Sequence, residues 1–236
     1  MSQAETTIRE ALAAFDFGGQ VVGAVRHGQG HINDTFCVHT QAGDGPCRRF
    51  ILQRISSVAF HDPAALMENI VGVTRYLRRM IAEQGGDTER ETMTVLPTCS
   101  GENYFTDSEG SAWRVYTFVE DTICLQAAET PALFAASARA FGRFQQMLKA
   151  YPAETLHETI PRFHDTPNRL ALFRAAVEAD PLGRAAGVRR EIDFVLARAQ
   201  DCSVAAEALR EGKLPLRVTH NDTKLNNVCL LYTSPS

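Results

Sequence analysis

The first half of the chain alternates between β-branched segments and amphipathic stretches. Residues 20–27, 32–40 and 47–55 are rich in valine, isoleucine and threonine and are separated by turns that contain glycine, which predicts three strands. Apolar positions three or four residues apart predict two helices, over residues 5–15 and 62–84. The second begins at Asp62, a capping carboxylate followed by proline, and ends at Gly85.

Three further strand-like segments follow, and the chain then becomes helical. The strands are predicted at residues 92–97, 103–107 and 112–120. Helical spacing follows at residues 131–150, 166–179, 182–200 and 203–211. A short strand over 214–219, a polar loop and another short strand, VCLLY, close the pattern.

Strands early in the chain and helices late in it predict an α+β protein with two lobes, because an alternating α/β sheet would interleave them. We place the β-rich N-terminal lobe at residues 1–119. The helical lobe is predicted at residues 120–236 and contains the polar loop at 217–228.

Composition excludes several classes of protein. The 236 residues are 44% hydrophobic and 22% charged, with a formal net charge of −4, as is usual for a soluble protein. There is no basic patch for nucleic acid and no apolar run of 18 residues for a membrane. The N-terminal residues contain Glu5 and Glu10 and do not resemble a signal peptide, so we expect a cytoplasmic location.

The cysteines are scattered and form no CxxC pair, which argues against a zinc cluster or a disulfide framework. Most of them are expected to be small buried side chains in a reducing compartment. They are Cys37, Cys47, Cys99, Cys124, Cys202 and Cys229.

The polar loop carries the clearest chemical signal. Its sequence HNDTKLNN matches the spacing of a kinase catalytic loop, with Asp222 at the base position and Asn227 at the metal position. A carboxylate accepts the proton of an attacking hydroxyl, Lys224 can neutralise phosphate charge, and an amide oxygen suits Mg²⁺. A polar turn without catalytic function is the alternative.

A kinase fold also needs a turn that covers the nucleotide phosphates. Gly28, Gly30 and His31 lie in a tight turn between the first two strands, although such turns are also common in ordinary hairpins. The hinge that binds adenine through its backbone is expected at residues 118–121, which include Phe118 and Glu120.

The third strand should supply a cation for the phosphates, and a glutamate on the following helix should be its partner. The first 148 residues contain no lysine, so Arg54 or Gln53 is expected to take this place. Strand alternation points these two to opposite faces, so only one of them can do so. Glu68 is the candidate partner, and a solvated charge is the alternative in each case.

Six segments together resemble the aminoglycoside-phosphotransferase-like superfamily, and within it most closely the N-acetylhexosamine 1-kinases. They are GHINDTF (30–36), FILQRI (50–55), WRVYTFVE (113–120), FGRFQQML (141–148), ETIPRFHDT (158–166) and LPLRVTHNDTKLNNV (214–228). The resemblance implies a protein-kinase-like fold, ATP and Mg²⁺ as cofactors, and transfer to the anomeric hydroxyl of an amino sugar, N-acetylglucosamine or N-acetylgalactosamine.

Carried over by position, the resemblance makes Asp222 the base, Asn227 a metal ligand and Lys224 a phosphate contact. His220 would brace the loop. The sequence departs from the family after Asn227, because only nine residues follow and none is an aspartate. We therefore expect a C-terminally truncated chain that is inactive alone. The alternatives are a nucleotide-binding pseudokinase, or a related kinase whose acceptor is an aminoglycoside, choline or homoserine.

Overall fold

The computed structural model describes residues 3–28 and 32–231, although for Leu231 it describes the backbone alone. The chain forms two compact units. The first runs to Thr159 and resumes at Val218, and the second is Ile160–Arg217. The predicted α+β class is confirmed, since an antiparallel sheet fills the early part of the chain and most helices follow it. The lobe boundary at residues 119 and 120 stays a prediction.

The first unit is built on a six-stranded antiparallel sheet with the order β1-β2-β3-β6-β4, in which β5 also pairs with β6. The strands are β1 (Gln20–Arg26), β2 (Asp34–Gln41), β3 (Arg48–Arg54), β4 (Val95–Leu96), β5 (Phe105–Thr106) and β6 (Ala112–Thr117). Five of the six lie within the segments predicted from the sequence, and β2 extends one residue beyond its segment, to Gln41.

One face of this sheet is covered by helix α1 (Gln3–Ala14) and holds the main core. Alternate residues of the strands point to this face, as a period of two requires. The core side chains are Phe15, Phe17, Val38, Phe50, Leu52, Trp113 and Val115. Burial of each of these side chains contributes about 1.5 to 3 kcal/mol to stability. We call this side of the sheet the α1 face.

The opposite side packs on helix α2 (Pro63–Glu83), and we call it the α2 face. Leu66, Met67 and Val71 of the helix form a cluster with Ile55, which follows β3, and Ala112, the first residue of β6. The predicted helix start is confirmed, because the carboxylate of Asp62 accepts a hydrogen bond from the backbone of Ala65 at 3.0 Å.

The C-terminal half of α2 contacts helix α3 (Pro131–Met147) and the residue that follows it. Leu77 and Ile81 pack there against Leu148, and Val218 joins the same cluster. Val218 therefore fixes the beginning of the polar loop on α2 and the C-terminal end of α3.

The strand expected in VCLLY is confirmed at Cys229–Leu231, but the other strand predictions after residue 120 need correction. Residues 214–219 form no strand, because no neighbouring strand supplies a ladder of hydrogen bonds. An additional strand, β7 (Thr122–Cys124), was missed, and it pairs with β8 (Cys229–Leu231). These two strands form a separate two-stranded sheet beside the polar loop.

The prediction against disulfides was also wrong. Cys124 and Cys229 are opposite each other in the β7–β8 pair and form a disulfide across 105 residues of sequence. Of the four free cysteines in the described part of the chain, Cys37 is buried, while Cys47 and Cys99 are exposed. A partner this distant cannot be read from local sequence.

The second unit contains three helices. They are α4 (Thr166–Ala179), α5 (Arg189–Leu196) and α6 (Val204–Arg210). Asp165 caps α4 by accepting a hydrogen bond from the backbone N–H of Asn168 at 2.9 Å. The helix expected over residues 182–200 is wrong as a single element, because 3₁₀ turns flank α5. Within this unit Ile192 alone is buried.

No helix in the part of the chain that the structure describes is both long enough and apolar enough to cross a lipid bilayer.

Candidate active site

The polar loop brings the three predicted catalytic side chains together. Asp222 Oδ2 accepts hydrogen bonds from Asn227 Nδ2 at 2.7 Å and lies 3.1 Å from Lys224 Nζ. A short 3₁₀ turn at Leu225–Asn227 makes this possible, because it folds Asn227 back over Asp222. The backbone carbonyl of Asp222 accepts from Lys224 N and again from Asn227 Nδ2, both at 2.9 Å.

The contacts of Asp222 favour its ionised form. The hydrogen bond from Lys224, followed by that from Asn227, lowers the pKa of the Asp222 carboxyl below its ordinary value. The side chains of Asp222 and Lys224 are both more than half exposed. An accessible carboxylate beside an ammonium can therefore receive a hydroxyl group and a phosphate at adjacent positions.

His220 connects this loop to helix α3. Its ring makes edge contacts with Phe141 and Phe144 of α3, with centroids 5.3 and 6.1 Å away. Its Nδ1 atom accepts a hydrogen bond from the backbone N–H of Asp222 at 3.3 Å. These are the contacts of a brace, the role that the resemblance implied.

The far end of the loop is tied to the segment after β7. Asn226 Nδ2 donates to Gln126 Oε1 at 3.1 Å. The next residues enter β8, which pairs with β7 and carries the disulfide. The loop is thus held by Val218 at one end and by the β7–β8 pair at the other.

Arg54, one of the two candidates for the phosphate contact, is paired with a carboxylate of the neighbouring strand β2. Arg54 lies on the α1 face, where its Nε donates to Asp34 at 2.9 Å and its guanidinium approaches the ring of Trp113 at 6.0 Å. Asp34 also accepts from Arg26 at 2.9 Å. These contacts, with Arg54 first, lower the pKa of the Asp34 carboxyl.

Gln53 lies on the α2 face, as strand alternation requires. Its Nε2 donates to Thr35 Oγ1 at 2.9 Å. Its Oε1 accepts from Arg114 Nε and Nη2 at 3.0 and 2.6 Å. Arg114 was not among the residues predicted from the sequence, although its alternation with Trp113 and Val115, two apolar residues of β6, was the signal that a charged residue faces the opposite side.

Glu68 points away from the sheet residues. Its Oε2 lies 2.6 Å from Nε2 of His157. The side-chain amide of the neighbouring Asn69 makes two hydrogen bonds to the backbone of the same histidine. It donates to the His157 carbonyl and accepts from the His157 N–H, each at 2.9 Å. The expected pair between Glu68 and a cation on β3 is therefore absent among the described residues.

The predicted hinge residues are held by Arg49, a second residue that the sequence did not reveal. Arg49 Nε donates to Glu120 at 2.9 Å, and its guanidinium lies 4.0 Å from the centre of the Phe118 ring. The backbone N–H of Phe118 donates to the Arg49 carbonyl at 3.2 Å. The Arg49 contact lowers the pKa of the Glu120 carboxyl. A cavity of about 480 Å³ borders these three residues.

The glycine turn is described only in part. Gly28 has φ of 76°, a left-handed conformation that suits glycine in a tight turn. Gly30 and His31 lie outside the described residues. Beside the turn, the ring of His27 makes an edge contact with Phe118 at 5.7 Å.

A divalent cation would find oxygen donors in the loop. Among the described residues no group of three acidic, histidine or cysteine side chains could hold a metal ion by itself. Asn227 donates through Nδ2 to Asp222, which leaves its Oδ1 atom outside that contact. This set fits Mg²⁺ held mainly by phosphate oxygens and water, with one or two protein oxygens added.

The chain was compared with models of protein families and with solved structures. The model of a family described as "phosphotransferase enzyme family" matches residues 23–235. Three solved structures are similar to this chain at low sequence identity. An amicoumacin kinase in complex with AMP-PNP, Ca²⁺ and Ami is 18% identical, with a TM-score of 0.43, over 64% of this chain and 41% of its own.

An aminoglycoside phosphotransferase from Alicyclobacillus acidocaldarius is 17% identical, with a TM-score of 0.41, over 72% of this chain and 44% of its own. A spectinomycin phosphotransferase in complex with ADP and spectinomycin is 12% identical, with a TM-score of 0.44, over 99% of this chain and 67% of its own. This chain thus spans less than half the length of the first two proteins.

Proposed function

Because this chain belongs to the phosphotransferase enzyme family, we propose that it forms part of a kinase that transfers a phosphoryl group from ATP to a hydroxyl group of a small molecule. The acceptor is the anomeric hydroxyl of an N-acetylhexosamine, and the product is the sugar 1-phosphate. Family membership and an antiparallel sheet followed by helices agree with the predicted protein-kinase-like α+β fold.

The grouping of Asp222, Lys224 and Asn227 carries this proposal. Phosphoryl transfer depends on positioning and on neutralising charge more than on covalent chemistry. Asp222 orients the attacking hydroxyl and accepts its proton as the bond to phosphorus forms. Its low pKa makes it a weak base, so orientation is its larger contribution. Lys224 lies 3.1 Å from Asp222 and neutralises the phosphoryl group at the same place.

The nucleotide occupies the first unit. Adenine lies against the backbone of residues 118–121, which Arg49 fixes through Phe118 and Glu120. Asn227 offers its Oδ1 atom to a divalent cation, proposed to be Mg²⁺, which neutralises charge on the phosphates when it is bound. The choice of N-acetylglucosamine or N-acetylgalactosamine rests on the resemblance of the segments HNDTKLNNV, ILQRI and ETIPRFHDT.

The test is a transfer assay on the product of the complete reading frame, with ATP, Mg²⁺ and each of the two sugars. Phosphorus NMR identifies a sugar 1-phosphate and distinguishes it from phosphate on another hydroxyl. We expect Asp222→Asn to reduce kcat by about 10²- to 10⁴-fold, with the affinity for ADP unchanged. Asp201→Asn, at an exposed aspartate of the second unit, is the matched control.

Three results would contradict parts of the proposal. Near-normal kcat in Asp222→Asn would remove Asp222 from the chemistry. Transfer to an aminoglycoside, choline or homoserine, but to neither sugar, would leave a kinase with another acceptor. Nucleotide binding without transfer to any of them would favour the pseudokinase alternative.

A further inference from the structure

Arg114 is a half-buried arginine in the middle of the sheet, on the α2 face. Its position in β6 is directly opposite Gln53 in β3. The guanidinium donates twice to the Gln53 amide oxygen, and its Nη1 atom lies 4.0 Å from the sulfur of Met67 in α2. Thioether sulfur is a weak acceptor, so Nη1 retains donor capacity.

The positive charge of Arg114 has no counter-ion in the described part of the chain. No carboxylate oxygen there lies within 4.0 Å of its guanidinium, whereas Arg54 is paired with Asp34 and Arg49 with Glu120. Burial lowers the pKa of Arg114, which reflects the cost of holding a charge in this place. A buried cation without an anion is destabilising unless a bound ligand supplies the charge.

The face on which Arg114 lies is the one that the nucleotide would use. Phe118, from the proposed hinge, directly follows β6 and lies four residues after Arg114. Its ring lies against the guanidinium of Arg49, which shares the α2 face with Gln53 because the two are four residues apart in β3. Four residues of extended chain span about 13 Å, a distance comparable with that from the base to the outer phosphates of an extended nucleotide. Arg54 is excluded from this task by its position on the α1 face.

We propose that Arg114, oriented by Gln53, is the cation that binds the phosphates of the nucleotide. The proposal rests on the function proposed above and names the residue that supplies the charge missing from β3. A guanidinium presents paired donors to phosphate oxygens, which an amide such as Gln53 cannot do. Thr35, Gln53 and Arg114 form a row across β2, β3 and β6, and this row holds the guanidinium plane in place.

A purely structural role would behave differently on substitution. If Arg114 served only to join the sheet to α2, its removal would lower the melting temperature and would affect all ligands alike. If Arg114 instead serves to bind phosphate, its replacement by methionine, which has a similar volume, should leave the melting temperature unchanged or raise it. The reason is that the substitution removes a buried unpaired charge.

The experiment measures the affinities of ADP and of adenosine by calorimetry, without metal, for the full chain and two variants. In Arg114→Met we expect ADP to bind about 10- to 100-fold more weakly, as for the loss of a charged hydrogen bond, and adenosine to bind within twofold of the wild type. Arg54→Met is the control, with both affinities unchanged, because Arg54 lies on the other face.

Unchanged ADP affinity in Arg114→Met, or an equal loss for ADP and adenosine with a lower melting temperature, would overturn the inference. If this variant does not fold, Arg114→Lys decides, because it keeps the charge and loses the paired donors. A reduced ratio of ADP to adenosine affinity is then expected, and an unchanged ratio refutes the role. A wild type that binds neither compound would refute the proposed nucleotide site itself.

Discussion

Val218 anchors the start of the polar loop, and shortening its side chain is expected to destabilise the first unit. Val218 is 8% exposed and packs with Leu77, Ile81 and Leu148. Val218→Ala removes two methyl groups, worth about 1.6 kcal/mol at 0.8 kcal/mol for each buried carbon. The cavity that remains adds to this, so we expect a loss of about 2 to 3 kcal/mol in the free energy of unfolding.

Urea denaturation followed by fluorescence of Trp113 measures this loss. With a slope of about 2 to 3 kcal/mol per molar urea, the midpoint should fall by about 1 M. Val58→Ala is the matched control, because Val58 is 87% exposed and the same substitution should cost less than about 0.5 kcal/mol there. Equal midpoints for the two variants would refute the argument that the loop is anchored on α2 and α3.

The remaining predictions concern charge and covalent linkage near the loop. Lys224→Ala should raise the pKa of Asp222 towards its ordinary value, because the largest cause of its lowering is removed. The acidic limb of the kcat profile of the complete enzyme should therefore move to higher pH, and an unmoved limb would contradict this pairing. Mass spectrometry after alkylation without reductant should leave Cys124 and Cys229 unmodified. Reduction of the disulfide should then lower the free energy of unfolding by about 2 to 4 kcal/mol. Alkylation of both cysteines before reduction would show that the disulfide does not form.

Features that depend on neighbouring residues could be predicted from the sequence. The start of α2 at Asp62 and that of α4 at Asp165 were readable, because a capping carboxylate and a proline act within one helical turn. The approach of Asp222, Lys224 and Asn227 also followed from their spacing in one short loop.

Features that depend on distant packing could not be predicted. Alternation correctly placed Gln53 and Arg54 on opposite faces, but which face α2 covers is decided by Leu66 and Met67, which belong to a later element. For the same reason Arg114 was overlooked as a cation. The strand expected at residues 214–219 failed because β-propensity needs a partner strand.

The long-range contacts that hold the polar loop have a consequence for the order of folding. Its contacts join residues far apart in sequence, with Asn226 bound to Gln126 across 100 residues and Cys229 to Cys124 across 105. Contacts of such high sequence separation carry the entropy of closing a large loop, and they form slowly. The sheet and α2 are built from nearer pairings and can assemble first. Backbone amides of β2 and β3 should therefore gain protection from hydrogen exchange before those of residues 219–228 during refolding.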